Sequence, residues 1–367
     1  MPITTKECIL RLRRTTAGLV AVLAASGIAA CGSSSSGSST SSASSSSAAS
    51  SGSGAALVGA GSTLVEPLVQ VWQPLYDKAY GTAVTYGGIG SGGGIEQITS
   101  RTVDFGASDA PLTSSQAAAC KGCLEIPWAL AATDIAYNVK GVPSGLHFTG
   151  PVLADIWMGK IKSWNDPAIQ KLNPGVKLPA TAIVPVHRTD GSGDTFAFTN
   201  YLSKVSPTFA KQIGNATTVN WPGGIGGKGN SGVGGALTST NGAIAYIAIA
   251  YVGANKLDYG LVQNAAGKYP TPGIPSISAA AAALKSVPQG GTQGISLTDP
   301  PASAPNAYPI STFTYILIPT STSKAAPLQK FVNWAITTGQ ASGPSLDFAP
   351  LPSAIVAADK ATLKLIK

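Results

Sequence analysis

Residues 55–79 read AALVGAGSTLVEPLVQVWQPLYDKA, and this stretch predicts a strand, a Gly/Ser/Thr turn and a helix in succession. The run at 55–58 is strand-like, and apolar residues from Leu64 to Ala79 recur at the spacing of one helix face. Such a turn places unpaired N–H groups and hydroxyls at a helix N-terminus, where the dipole favours an anion. Similar junctions occur at 88–94 and 190–195. Together they indicate a compact anion pocket.

Strand-like and helix-like segments alternate from residue 55 to the C-terminus, which predicts an α/β fold with largely parallel sheets. The Pro- and Gly-rich stretch 288–309 is typical of a long loop or a crossover between domains. The other strand-like segments are 84–86, 103–107, 133–139, 182–186, 242–249 and 312–318. One further helix-like segment begins at residue 95, and four others cover 151–160, 195–204, 278–286 and 324–338.

The basic residues of the chain are not arranged as a nucleic-acid-binding groove would require. The 367 residues carry 24 Lys+Arg against 16 Asp+Glu, a formal net charge of +8. Of the arginines, Arg11, Arg13 and Arg14 cluster at the N-terminus, and only Arg101 and Arg188 lie beyond it. Dispersed lysines and two arginines do not make the basic patch that a phosphate backbone requires, so we expect no nucleic-acid partner.

The N-terminus is predicted to direct the protein out of the cytoplasm and to anchor it there. Residues 1–30 combine basic residues with an apolar run too short to span a bilayer, which is typical of a signal peptide. The run ends in Ile28-Ala29-Ala30-Cys31, a lipobox-like sequence that predicts lipidation at Cys31. An ordinary secretory signal cut near Ala30 is the alternative. Residues 31–54 are almost entirely Ser, Gly, Ala and Thr after the cysteine, as in a flexible tether.

Cys120 and Cys123 form a CxxC pair in the body of the chain. A second CxxC or a nearby histidine that would complete a zinc site is missing from the sequence. Because the predicted compartment is oxidising, the spacing favours a small structural disulfide. A redox-active pair and free thiols remain alternatives.

Common enzyme and nucleotide motifs are incomplete in this sequence. The run 88–93 satisfies GxGxxG, but so does 227–232, which shows that the pattern has little specificity in a chain with 43 glycines. We expect 223–235 to be a glycine-rich loop before a helix. Neither Ser91 nor Ser192 stands in GxSxG, and the two histidines, His147 and His187, give no metal motif. The sequence therefore predicts a protein that is not an enzyme and binds neither a metal nor a cofactor.

Asp109, Arg188 and Ser192 are the residues that define the anion. A buried aspartate repels an anion unless that anion carries a proton to donate, as phosphate does at neutral pH and sulfate does not. Facing a fully deprotonated oxyanion, the aspartate would cost at least the roughly 1–3 kcal/mol of an unsatisfied buried group. The guanidinium of Arg188 supplies charge and a planar set of donors for phosphate oxygens. Its alternative role is a structural ion pair with Asp190 or Asp109.

These motifs resemble the phosphate-binding lipoprotein of the phosphate-specific ABC importer. The resemblance covers nearly everything after residue 55, in family order, and is carried by residues 58–63, 88–93, 103–112 and 188–193, with support from 159–166, 221–222, 226–230 and 242–246. It implies a two-lobed periplasmic-binding-protein (Venus-flytrap) fold of type II with a hinge between the lobes. Lobe I would comprise 55–128 and 306–367, and lobe II 129–305.

The resemblance also implies the ligand contacts. Asp190 would orient Arg188, and Thr195 is a further candidate hydroxyl. The family often has Thr where Asp194 stands, so the Asp194 carboxylate must either point away or accept a second proton. The phosphate-binding residues carried over from the family are Thr63, Leu64, Ser91, Asp109, Arg188, Ser192, Gly193 and Asp194.

The implied function is capture of inorganic phosphate outside the cell and delivery to the importer. Its partners would be the membrane permease and ATPase subunits of the importer, and the protein would be a lipid-anchored monomer at the cell membrane. A phosphate sensor or adhesin of the same fold is one alternative. An extracellular phosphatase is the other, but it would need a metal cluster or an activated nucleophile, and neither is visible in the sequence.

Overall fold

The computed structural model describes residues 56–287, 290–291 and 294–367, all of which belong to one compact unit. The signal peptide 1–30, the lipidation site Cys31 and the tether 31–54 lie outside the described residues, as does Ala55. Within the described residues, no helix combines the length and the apolar character needed to cross a bilayer.

Ten strands are described and belong to one mixed sheet. They are β1 (Leu57–Gly61), β2 (Val84–Gly88), β3 (Phe105–Ser108), β4 (Cys123–Asn138), β5 (Leu146–Phe148), β6 (Val184–Arg188), β7 (Ile225–Gly227), β8 (Ala243–Ala248), β9 (Asp258–Val262) and β10 (Ser311–Pro319).

The helices pack on the faces of this sheet. They are α1 (Glu66–Tyr80), α2 (Ser91–Thr99), α3 (Ser114–Cys120), α4 (Gly150–Trp157), α5 (Pro167–Leu172), α6 (Gly193–Val205), α7 (Pro207–Gln212), α8 (Gly229–Ser239), α9 (Ile249–Asn255), α10 (Ile274–Ala282), α11 (Ala325–Ala335) and α12 (Ser353–Leu363), with a 3-10 helix at Thr338–Leu346.

Strand β4 joins two halves of the sheet, whose strand order is β2-β1-β3-β10-β4-β8-β6-β7, with β9 and β5 alongside β4. Its residues up to Ala132 pair with β10, and from Thr133 onward they pair with β8. We call β1, β2, β3, β10 and residues 123–132 the first half-sheet. The second half-sheet is residues 133–138 with β5 to β9. The lobe boundaries expected at 129 and 306 stay a prediction, and the change of partner at Thr133 is the nearest structural landmark to the first of them.

Each half-sheet has its own aromatic core. On the first, the ring of Trp72 from α1 lies 5.4 Å from that of Trp128 on β4. On the second, the ring of Phe198 from α6 stacks at 4.8 Å on Tyr246 of β8. Burial of one such aromatic side chain contributes about 2–3 kcal/mol, so these contacts hold α1 and α6 firmly at the strand ends where they begin.

The predicted α/β alternation is confirmed, but several details were wrong. Parallel pairings outnumber antiparallel ones only by five to four, so the sheet is mixed. The strand expected at 133–139 begins at Cys123, because its first part is buried on both faces and shows no alternation. The helix expected at 278–286 covers Ile274–Ala282. The described residues of 288–309 contain no helix or strand, as expected for a loop.

The stretch 223–235 was wrongly predicted to be a loop. It contains β7 and most of α8, whose residues Val233 and Leu237 are fully buried. Here the close approach of strand and helix requires glycine, since a Cβ on Gly227 would lie 2.5 Å from the backbone nitrogen of Val233. Packing therefore stabilises a helix whose residues have low intrinsic propensity.

Candidate functional site

The three strand–turn–helix junctions meet at one place between the two half-sheets. The turn after β1 brings Ser62 and Thr63, the turn after β2 brings Ser91, and the turn after β6 brings 190–195. The halves touch directly there, since the Gly92 N–H donates to the Gly191 carbonyl at 2.8 Å. The structure thus collects residues from distant parts of the sequence in one cleft.

Asp109 lies just beyond β3, at the centre of this cleft. Its carboxyl group is 2% exposed and accepts from the Ser62 hydroxyl, at 2.6 Å to Oδ1 and 2.7 Å to Oδ2. The Ser91 hydroxyl lies 3.3 Å from Oδ2. Burial, with the charge of Asp194 second, raises the pKa of Asp109 to about 7, and the Ser62 hydrogen bond and Arg188 oppose the rise. The carboxyl group can therefore exchange a proton near neutral pH.

Arg188 enters the cleft at the end of β6 and is held by two carboxylates. Its Nε donates to Asp190 Oδ1 at 2.8 Å, its Nη2 donates to Asp190 Oδ2, and its Nη1 donates to Asp194 Oδ2 at 2.9 Å. Burial alone would lower the pKa of Arg188, but the hydrogen bond and charge of Asp190 and the charge of Asp194 outweigh it and raise the pKa. The guanidinium stays charged and fixed in orientation.

The carboxylate of Asp194 is directed at protein groups. Besides Arg188, it accepts from the Thr133 hydroxyl at 2.7 Å on Oδ1 and from Asn230 Nδ2 at 2.8 Å on Oδ2. Burial raises its pKa, whereas Arg188, Thr133 and Asn230 lower it. Its backbone N–H belongs to the first turn of α6, where N–H groups have no partner within the helix.

The N-terminus of α6 faces Asp109 and Ser91. Ser192 caps the helix by accepting from the Thr195 N–H at 3.2 Å, and the Gly193 N–H donates to Ser91 Oγ at 3.1 Å. Only glycine fits at position 193, because a Cβ there would lie 2.3 Å from the Cβ of Asp109. The Thr195 hydroxyl contacts the hydroxyl of Tyr246 at 2.9 Å, away from the carboxylates of the cleft.

On the opposite side of the cleft, the predicted donors also have protein partners. The Leu64 N–H donates to Ser62 Oγ at 3.0 Å. Thr63 Oγ1 accepts from the backbone N–H and from the side-chain amide of Asn230, at 3.2 and 3.0 Å. The structure thus places the residues that the sequence predicts to bind phosphate around one cleft, whereas Cys120 and Cys123 lie elsewhere.

Sequence reasoning missed four residues of this network: Ser62, Thr133, Asn230 and Tyr246. Ser62 was signalled by its place beside Thr63 in the first junction. Asn230 lay inside the glycine-rich stretch that was wrongly predicted to be a loop. Tyr246 belongs to the network because its hydroxyl accepts from the backbone N–H of Arg188 at 3.0 Å. Thr133 had no local signal, because its role depends on where β4 passes the cleft.

Comparisons with known proteins identify the family of this chain. The PBP superfamily domain matches residues 39–338 of the chain. The phosphate-binding protein PstS of Xylella fastidiosa is 42% identical over 302 residues, 81% of this chain and 82% of that protein.

Two solved structures share the fold at low sequence identity. A human phosphate binding apolipoprotein superposes with a TM-score of 0.66 at 20% identity, over 83% of this chain and 93% of that one. An ABC-type phosphate transport receptor from Vibrio cholerae gives 0.54 at 18%, over 81% and 100%. The predicted α/β periplasmic-binding-protein fold is confirmed, and its division into two lobes stays a prediction. The chain belongs to the PstS phosphate-binding proteins of the PBP superfamily.

Proposed function

We propose that the cleft binds inorganic phosphate outside the cell and hands it to the permease of a phosphate ABC importer. The observation that carries this proposal is the buried pairing of one proton acceptor, Asp109, with one fixed cation, Arg188, among hydroxyl and N–H donors from both half-sheets. Family membership and the phosphate named in the relatives support the choice of ligand.

Selectivity follows from Asp109. A phosphate that carries a proton donates it to the Asp109 carboxylate, while its other oxygens accept from Arg188 and from the neutral donors. Sulfate has no proton at neutral pH, so one of its oxygens would face the carboxylate with no hydrogen between them. That arrangement leaves buried lone pairs unmatched at about 1–3 kcal/mol, with charge repulsion in addition.

The donors come from both half-sheets, so full satisfaction of the ligand requires the closed cleft. The first half-sheet offers the Thr63 and Ser91 hydroxyls and the Leu64 N–H. The second offers Arg188, Ser192 and the N–H groups of Gly193 and Asp194, with Asp190 orienting the guanidinium. A ligand that binds the closed form better shifts the population toward it. The closed, loaded protein then docks on the permease, where opening releases phosphate.

The location of the protein is part of the same proposal. A lipid on Cys31 would hold the folded unit at the membrane, and the segment 31–54 would act as a tether between the lipid and the folded unit. We also propose that Cys120 and Cys123, whose Cα atoms lie 5.5 Å apart, form a disulfide, as expected in an oxidising compartment. Within this proposal the protein acts as a monomer and not as an enzyme.

Thermal unfolding of the purified protein with phosphate or sulfate tests the ligand. Phosphate at a hundredfold excess over its Kd should stabilise the protein by about 2.7 kcal/mol and raise the melting temperature by several degrees. Sulfate at the same concentration and ionic strength should leave the melting temperature unchanged. Equal shifts by both anions would remove the selectivity argument, and no shift by phosphate would reject the proposal.

A further inference from the structure

Asn230, the second residue of α8, contacts both half-sheets while fully buried. Its backbone N–H and its Nδ2 both donate to Thr63 Oγ1, at 3.2 and 3.0 Å. Nδ2 also donates to Asp194 Oδ2 at 2.8 Å, and Oδ1 accepts from the Ala248 N–H at 2.9 Å. Thr63 follows β1 of the first half-sheet, whereas Asn230 and Asp194 lie in α8 and α6, which follow strands of the second, so opening of the cleft would break the contacts to Thr63.

The chemistry of the partners fixes the orientation of this amide. A backbone N–H can only donate, so the atom beside Ala248 must be the amide oxygen. The amide nitrogen then carries two hydrogens and donates one to Thr63 and the other to Asp194. Because Thr63 Oγ1 accepts twice from Asn230, the single hydrogen of the Thr63 hydroxyl has to point elsewhere.

We propose that Asn230 is a positioning residue with two effects: it turns the Thr63 hydroxyl into a dedicated donor toward the ligand, and it latches the two half-sheets in the closed form. This inference rests on the proposed phosphate-binding function for its first effect and on geometry alone for its second. Asp194 takes part through its carboxylate, which accepts the second amide hydrogen and also accepts from Arg188 and Thr133.

The replacement Asn230→Asp tests the hydrogen directions, because it keeps shape and keeps an oxygen for the Ala248 N–H. It places a second carboxylate against Asp194 and replaces the side-chain donor to Thr63 with an acceptor, while the backbone N–H of residue 230 still donates to Thr63. The Thr63 hydroxyl would then donate to the new carboxylate and no longer to the ligand. Two carboxylates in contact share one proton, so binding of phosphate becomes coupled to protonation. The titratable groups that interact with Asp194 are Arg188, Asp190, Asp109, Tyr246 and Tyr251.

The experiment compares wild type, Asn230→Asp, Asn230→Ala and the control Asn255→Ala, an exposed asparagine at the end of α9. Phosphate Kd is measured from pH 6 to pH 8. Relative to wild type, Asn230→Asp should weaken by about tenfold per pH unit as the pH rises, since one additional proton is needed for binding. Asn230→Ala should lose about tenfold at every pH and dissociate faster, because the side-chain hydrogen bond to Thr63 across the cleft is gone together with the one that holds Asp194. Asn255→Ala should match wild type.

Hydrogen exchange of the Gly92 amide, which donates to Gly191 across the cleft, measures the latch without phosphate. It should be faster in Asn230→Ala, which lacks the side-chain bond to Thr63, than in wild type and in Asn255→Ala. A pH profile of Asn230→Asp parallel to that of wild type would overturn the assigned hydrogen direction, and unchanged Gly92 exchange would overturn the latch. Wild type that fails to bind phosphate would reject the proposed function, while Gly92 exchange would still decide the latch. Asn230→Ala provides both readouts if Asn230→Asp does not fold.

Discussion

Two sets of inward-facing carboxyl groups differ in their partners. The cleft group is Asp109, Asp190 and Asp194, which contact Arg188 or the hydroxyls of both half-sheets. The remote group is Glu125, Asp134 and Asp359, and none of them makes an ion pair within the described residues. Both groups are buried, apart from Asp190, which is partly exposed.

The carboxyl groups of the remote group have few hydrogen-bond partners. Glu125 accepts from the N–H groups of Leu112 and Gly294, at 2.7 and 3.1 Å, which ties a loop to the sheet. Asp134 accepts from Tyr308 and from the next backbone N–H. Asp359 has a buried Oδ2 with no hydrogen-bond partner.

Burial raises the pKa of the fully buried members of both groups, to about 7 for Asp109, Glu125 and Asp134 and to about 8 for Asp359. For Asp190 burial acts in the same direction, but the hydrogen bond and charge of Arg188 outweigh it and lower the pKa. A raised pKa therefore does not separate a ligand site from a structural acid in this protein. What separates them is the donor set, because only the cleft group is accompanied by a fixed cation and by hydroxyls that can turn toward an anion.

Removal of the cation should have the largest effect on the cleft. Arg188→Ala leaves the buried carboxylate of Asp194 and the partly exposed one of Asp190 without their cation, and loss of one partner of a buried ion pair costs about 3–5 kcal/mol in comparable sites. Phosphate affinity measured by calorimetry should fall by at least a hundredfold. Arg101→Ala is the matched control, since Arg101 lies outside the cleft and contacts Cys120. Similar losses in both variants would show that Arg188 acts only through stability.

Removal of the proton acceptor should change selectivity more than affinity. In Asp109→Asn the amide can donate to an oxyanion, so sulfate should begin to bind while phosphate weakens by about tenfold to a hundredfold. The control is Asp359→Asn, an equally buried aspartate without a partner at Oδ2. Competition between phosphate and sulfate measures the ratio of affinities. An unchanged ratio in Asp109→Asn would contradict the role of the carboxylate.

The sequence predicted the carboxyl residues of the cleft group and none of those in the remote group. Asp109 and Arg188 follow recognisable strand ends, and Gly/Ser/Thr junctions supply their neighbours, so local pattern and family resemblance were sufficient. Asn230 was missed because glycines around it hid a helix that only packing against β7 and β8 stabilises. Thr133 and Asp359 gave no signal, because their surroundings are set by contacts between segments distant in the sequence.

The remote group should dominate the pH dependence of stability. The folded pKa of Asp359, about 8, lies above its ordinary 3.8, so the folded protein holds that proton more tightly than the unfolded chain. Stability is therefore highest at low pH within this window and falls as the pH rises from about 4 to 8. Asp359→Asn should raise the free energy of unfolding at pH 8 by at least about 1 kcal/mol and flatten its slope.

Chemical denaturation from pH 5 to pH 8 measures that slope. Asp155→Asn, which alters an exposed aspartate paired with Lys160, should keep the wild-type slope. A slope that is unchanged in Asp359→Asn would mean that this carboxyl group is not protonated on folding.

The smallest effect on phosphate binding is expected at the cysteine pair. A disulfide that closes so short a loop contributes about 1.5–2 kcal/mol, and it lies outside the cleft. The double variant Cys120→Ser/Cys123→Ser should melt several degrees lower with unchanged phosphate affinity. Dithiothreitol should lower the melting temperature of wild type and leave that of the variant unchanged. Insensitivity of wild type to the reductant would favour free thiols.

The central claim is that the cleft selects phosphate through one proton acceptor opposite one fixed cation. Parallel isothermal titrations of the purified protein with phosphate and with sulfate at neutral pH test it most directly. We predict saturable heat with one phosphate bound per chain and no heat of binding with sulfate. Comparable binding of both anions, or of neither, would contradict this assignment.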